Sequence, residues 1–182
     1  MTEILRLIHG VSSRVRILFY RVLGVKIEGR CWLRAIEIPR GHRDIRIADG
    51  AQLDRGVVLL ISGESCGTEK IVIGRAAYIN RATMIDASER IEIGAHCMIG
   101  PFCYITDHDH AVGSADALIS EPTSIGERVW LGAHVTVLKG VSIGDGSVVG
   151  AGSVVTKSLP AGVVAVGNPA RVVREIRMTN DE

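Results

Sequence analysis

The sequence predicts an all-β chain: a single-stranded parallel β-helix, preceded by an amphipathic helix and closed by a short C-terminal helix. Three observations carry this. From Thr123 to Ser158 the chain divides into sixes, and the third place of each is Ile125, Leu131, Val137, Ile143, Val149 and Val155. In four of the six the next place is glycine, at Gly126, Gly132, Gly144 and Gly150. An α-helix, whose faces recur about every 3.6 residues, cannot keep that period, whereas short strands with a bend between sixes can. The same step runs upstream through Ile73, Ile79 and Ile85, then, after two extra residues, through Ile93, Ile99 and Ile105. Finally, the chain is 47% apolar but only 4% aromatic, with 21 glycines. That composition suits thin Ile/Val layers stacked in a solenoid rather than a core filled by aromatic rings.

Taken in order, residues 1–24 form a basic amphipathic arm. Ile4, Leu5, Leu7, Ile8, Val11, Val15, Leu18, Phe19 and Val22 make an apolar stripe, with Arg6, Arg14, Arg16 and Arg21 between them. Residues 1–46 hold ten Lys+Arg against four Asp+Glu, and the remainder holds 11 against 16. Such a helix either packs on the coil or on another subunit, or lies on an anionic membrane surface. Residues 25–166 form the coil. Ile47, Leu53 and Leu59 already step by six in its opening turns. A loop is expected over Ser62–Glu69, a small bulge near Ala87–Arg90, and one longer loop over Thr106–Pro122, where a repeat protein can place function. Residues 167–182 form a cap, with Gly167-Asn168-Pro169 as a turn and RVVREIR as the expected short helix over an otherwise open edge.

Net charge is +1, which carries no global nucleic-acid signal. The longest early apolar run, Ile17 to Tyr20, is far too short for a signal peptide or a membrane span. Four cysteines without a CxxC fit a reduced, cytoplasmic setting. Cys97 and Cys103 share the first place of successive sixes and read as small inward-facing residues.

The six-residue pattern resembles the hexapeptide-repeat acyltransferases over roughly Ile71 to Ile176. The segment VWLGAHVTVLKGVSIGDGSVVGAGSVVTKSLPAGVVAVGNPARVVREI is similar to the closing part of their galactoside and maltose O-acetyltransferase branch. The resemblance implies a left-handed coil, which general crossover preference would not suggest. It also implies a homotrimer with active sites between neighbours, and transfer of acetyl from acetyl-CoA to a sugar hydroxyl. In that branch the catalytic histidine lies nine residues after a proline, a spacing met here by Pro101 and His110 in PFCYITDHDH. A neutral imidazole suits removal of a hydroxyl proton at neutral pH. His108 is the other histidine at the mouth of the loop, and Asp107 or Asp109 could fix a tautomer. The DHDH wording is similar to sugar O-acetyltransferases of surface-polysaccharide synthesis, which makes a peripheral address at the inner membrane sensible. The segment AYINRATMID resembles the family's acceptor-contacting segment and implies Asn80 and Asp86 as acceptor-binding. For acetyl-CoA, the family positions match Trp130, Ala133, Ala151, Thr156, Lys157, Arg171 and Arg174. The arginines suit the nucleotide's phosphates.

Other readings keep the fold. An amino-sugar N-acetyltransferase or a serine acetyltransferase-like enzyme would use the same base. A carbonic-anhydrase-like zinc trimer would need three converging imidazoles, for which His96, His108, His110 and His134 are available. An assembly scaffold would bind no acetyl-CoA. No resident metal is expected in the acetyltransferase reading.

Overall fold

The structure, a computed structural model, describes residues 2–111 and 118–176, with the arm's side chains described from Gly10 onward. A helix, α1 (Thr2–Leu23), leads into three parallel sheets wound from one strand. The first sheet has six strands, from Lys26–Ile27 to Ser142–Ile143. The second has eight, from Trp32–Leu33 to Ala170–Glu175, and the third has five, from Val58–Ile61 to Val154–Val155. Sequence order is spatial order within each sheet, so every turn of the coil lays one strand on each face.

The third place of each six points inward. Ile73, Ile93, Ile125 and Ile143 stack in register on the first sheet, and the chain repeats this with Ile79, Ile99, Leu131 and Val149 on the second. All are buried, as are the first-place residues Val129, Val135, Ser147 and Ser153. Cys97 and Cys103 occupy that first place as expected. Their thiols donate to the Gly126 and Gly132 carbonyl oxygens of the next turn. Burial pushes both thiols up, Cys97 to about 11, so each stays protonated and unsuited to nucleophilic work.

Two positions of each six need special backbone. The fourth-place glycines lie where consecutive turns touch. A Cβ on Gly94 would stand 2.5 Å from the Gly126 carbonyl oxygen. The sixth place instead takes left-handed φ, as at Gly152 (+71°), where a Cβ would meet open space. Gly94→Val should therefore cost about 3 kcal/mol by forcing two turns apart. Gly152→Ala should cost only about 1 kcal/mol of backbone strain. Urea unfolding of the two variants against wild type measures both, and equal losses would contradict the assignment.

From the second turn onward, the surplus residues fall at one corner, between the third sheet and the first. Ser124 and Ser142 pair at an 18-residue step, three sixes, whereas the pairs Arg46–Val72, Val72–Glu92 and Glu92–Ser124 are further apart in sequence. The inward residues on the other two corners keep the six-residue step. That corner collects the loop over Ser62–Glu69, the turn at 88–90 and the long insertion. The insertion is not a plain loop: His108–His110 pairs antiparallel with Leu118–Ser120, making a hairpin. Its tip, 112–117, lies outside the described residues. Buried Asp44 works at the same corner, where its Oδ1 accepts N–H groups from Cys66, Gly67 and Thr68. Burial raises its pKa, but hydrogen bonding from Ser65, Gly67, Thr68 and Cys66 outweighs burial and holds the carboxyl below its ordinary value. A depressed folded pKa contributes stability above the unfolded value, lost as pH falls through the folded one. Asp44→Ala should cost about 2 kcal/mol at neutral pH and flatten the acid limb below the ordinary carboxylate pKa. Urea midpoints from neutral to acid pH check this, and an unchanged acid slope would contradict it.

Both ends of the coil are covered. At the N-terminal end, α1 lies across the first turn and uses polar side chains to do so. Arg21 donates to the Ile27 and Gly29 oxygens, Arg16 to Leu33 and Tyr20 to Ile36, while Ser13 Oγ accepts the Leu33 N–H. An uncovered edge would present those groups for pairing with another chain. This inverts the usual amphipathic arrangement: among the described side chains, Ser13, Ile17 and Tyr20 face the coil, and Val11, Val15, Leu18, Phe19 and Val22 face away.

At the other end the expected C-terminal helix is replaced by a strand. Ala170–Glu175 turns back and pairs antiparallel with Val163–Gly167. Val172 and Val173 are β-branched, and a strand can pair its backbone with the open edge, which a helix cannot.

Candidate active site

The insertion is anchored by Asp107, which is fully buried. Its Oδ1 accepts the Ser88 N–H at 2.7 Å, and its Oδ2 accepts Glu89 and Arg90 N–H at 2.8 and 2.6 Å. Those donors lie in the turn that takes up the two-residue surplus between Ile85 and Ile93. The bulge and the insertion are thus two halves of one construction. The hairpin base is closed by the Glu121 N–H on the Asp107 carbonyl oxygen, 2.8 Å, and by Thr123 Oγ1 on the Thr106 carbonyl oxygen, 2.9 Å.

His108 Nδ1 lies 3.0 Å from Asp107 Oδ1. An ionised carboxylate only accepts, so Nδ1 is the donor in this contact. This chooses Asp107 over Asp109 as the orienting acid. The His108 side chain is 9% exposed, and Nε2 stands 3.9 Å from Asp86 Oδ2, outside hydrogen-bond range. Asp86 is held from two further sides, by the Ser62 hydroxyl on Oδ1 and the Tyr104 hydroxyl 3.4 Å from Oδ2. Burial first, and then Asp86, raise the Tyr104 pKa, keeping the phenol protonated. His110 is two residues further along the same strand, hence on the same face as His108, but exposed.

The structure therefore gathers Asp86, Asp107, His108 and His110 at one corner. It does not bring Asn80 there: Asn80 sits at the corner between the second and third sheets, its Oδ1 accepting the Arg81 N–H. Among the coenzyme candidates, Trp130 is exposed on the second face between Met98 and Val148. Ala133 and Ala151 follow it on adjacent turns of one corner, where the Gly152 N–H reaches the Ala133 oxygen at 2.8 Å. Thr156 and Lys157 are exposed on the last full turn, and Arg171 and Arg174 on the terminal strand. Sequence reasoning missed Ser62, Tyr104 and Thr106. Of these, Tyr104 had a legible signal, being an aromatic beside the bulky place in a chain with few aromatics. Among the described residues, no three His, Cys, Asp or Glu side chains form a group able to hold a metal ion, and no helix is long and apolar enough to cross a membrane.

The family model described as "Hexapeptide repeat of succinyl-transferase" matches residues 122–157. No curated protein gave a significant match. Among solved structures, a galactoside acetyltransferase in complex with coenzyme A is 38% identical, with a TM-score of 0.65 over 72% of this chain and 64% of that one. A variant of GDP-perosamine N-acetyltransferase from Caulobacter crescentus, in complex with coenzyme A and GDP-perosamine, is 25% identical, with a TM-score of 0.61 over 90% of this chain and 66% of that one. A variant of AntD, an N-acyltransferase from Bacillus cereus in complex with dTDP and coenzyme A, reaches a TM-score of 0.76 over 86% and 88% of the two chains. At 20% identity that last likeness speaks for the fold alone. The coil is a left-handed parallel β-helix built of hexapeptide repeats, the fold of the acyltransferases to which the chain is similar.

Proposed function

We propose that this chain is an acetyl-CoA-dependent O-acetyltransferase acting on a sugar hydroxyl, with His110 as general base. The observation that carries the reading is an exposed imidazole at the end of a strand whose other end is pinned by buried Asp107 and His108. The acceptor hydroxyl gives its proton to His110 as its oxygen attacks the thioester carbonyl carbon. The tetrahedral intermediate then collapses, the C–S bond breaks, and the imidazolium returns the proton to the departing thiolate. No acyl-enzyme is needed. Trp130, Ala133 and Ala151 suit the thin pantetheine arm, and Thr156, Lys157, Arg171 and Arg174 the nucleotide end, where guanidinium groups fit phosphate. In this reading three chains associate, His110 of one meeting the coenzyme strip of the next, and the product is an acetylated saccharide for surface polysaccharide.

A second reading is transfer to an amine on a nucleotide sugar, supported by the perosamine enzyme's likeness. Incubation with acetyl-CoA and matched sugars and amino sugars, followed by mass spectrometry and mild alkali, tests both. An alkali-labile product supports the ester and an alkali-stable one the amide. No acetyl-CoA binding by calorimetry would sink both readings.

A further inference from the structure

The outward face of α1 is at odds with a water-exposed helix. Val15 is 63%, Leu18 65% and Val22 78% exposed, with Val11 and Phe19 exposed beside them. These residues recur at three- and four-residue steps and form one continuous stripe. The polar residues that would normally face water are spent on the coil's edge carbonyls. Alongside the stripe runs a cleft of about 590 Å³ between the helix and the first turn. Arg14, Arg21 and Arg30 line it, with Ile17 and Trp32 as apolar lining. Arg43 lies against the chain at Gly24, just past the helix's end.

From this we propose that α1 is a docking face for an anionic lipid bilayer: the stripe enters the headgroup boundary while the arginine cleft takes lipid phosphate. Charge complementarity favours lipid over a second copy of the chain. The ten-to-four basic excess lies in residues 1–46, the helix and opening turn, and the acidic excess lies beyond it. An anionic surface attracts the first and repels the second, so the coil would stand with its α1 end down. A second copy would instead set one arginine-flanked stripe against another. The inference is independent of the acceptor and of the base.

The test uses the full chain and vesicles of phosphatidylcholine, with and without phosphatidylglycerol. Wild type should float with the anionic vesicles about ten-fold better than with neutral ones, the difference shrinking in high salt. Leu18→Glu/Phe19→Glu should lose flotation with both. Arg14→Glu/Arg30→Glu should lose only the preference for anionic lipid. Neither pair contributes an edge hydrogen bond, so circular dichroism and light scattering should match wild type. Absence of wild-type flotation on either vesicle would overturn the proposal. So would a Leu18→Glu/Phe19→Glu variant that still floats but changes oligomeric state, since the stripe would then be a subunit contact.

Discussion

His110→Ala is expected to lower acetyl transfer by about a thousand-fold while leaving acetyl-CoA binding unchanged. The imidazole is exposed, so its removal should leave the coil folded, with a thermal midpoint close to that of wild type. His108 predicts a different pattern. It is buried against Asp107 and acts through position, so His108→Ala should lose both rate and stability. His108→Asn keeps an N–H able to reach Asp107 Oδ1 and should recover much of both. Transfer kinetics for the three variants, with calorimetry of acetyl-CoA on each, separate the roles. A folded His108→Asn enzyme as dead as His110→Ala would move the base to His108. An active His110→Ala enzyme would remove the base assignment altogether.

The coil was readable because its cause is local and repeated. A bulky residue must point inward once on each face, so Ile125, Leu131 and Val137 announce three faces without any long-range information. The glycine column is read as easily but explained only in three dimensions. Gly94 is demanded by the Gly126 carbonyl of the next turn, not by its own φ. Elements set by the ends of the coil were harder. RVVREIR reads as a short helix in sequence, but the open edge of the last turn decides for a strand. The arm was legible as an amphipathic helix but not in its orientation. Orientation depends on which carbonyls of the first turn lack partners, and only the assembled edge reveals that Arg16, Tyr20 and Arg21 are wanted against it. At the site, two carboxylates near His108 and His110 were equivalent in sequence. Asp107 was selected by three backbone N–H groups about eighteen residues upstream in the preceding turn, a contact that no local pattern encodes.

Asp107→Ala should open this corner without unwinding the coil. Removing the carboxylate strips the acceptor from Ser88, Glu89 and Arg90 and from His108 Nδ1. Hydrogen bonds to a charged group contribute roughly 1.5–3 kcal/mol each, but these four share one acceptor and are not additive. Glu89 is exposed, so water can replace part of what is lost. A net cost of about 3 kcal/mol follows. Asp107→Asn should fare little better, since its amide would turn donors toward a site already full of donors. Because a solenoid turn contacts mainly its neighbours, the loss should remain local. Amide hydrogen exchange should quicken at 88–90 and along His108–His110, while Ile143 and Val149 keep wild-type protection. Transfer should fall by about ten- to a hundred-fold as His110 loses its fixed approach. Unchanged exchange at 88–90 would show that Asp107 does not hold the turn. Fast exchange there with full activity would show that His110 needs no such anchor, and the base would have to be positioned from another subunit.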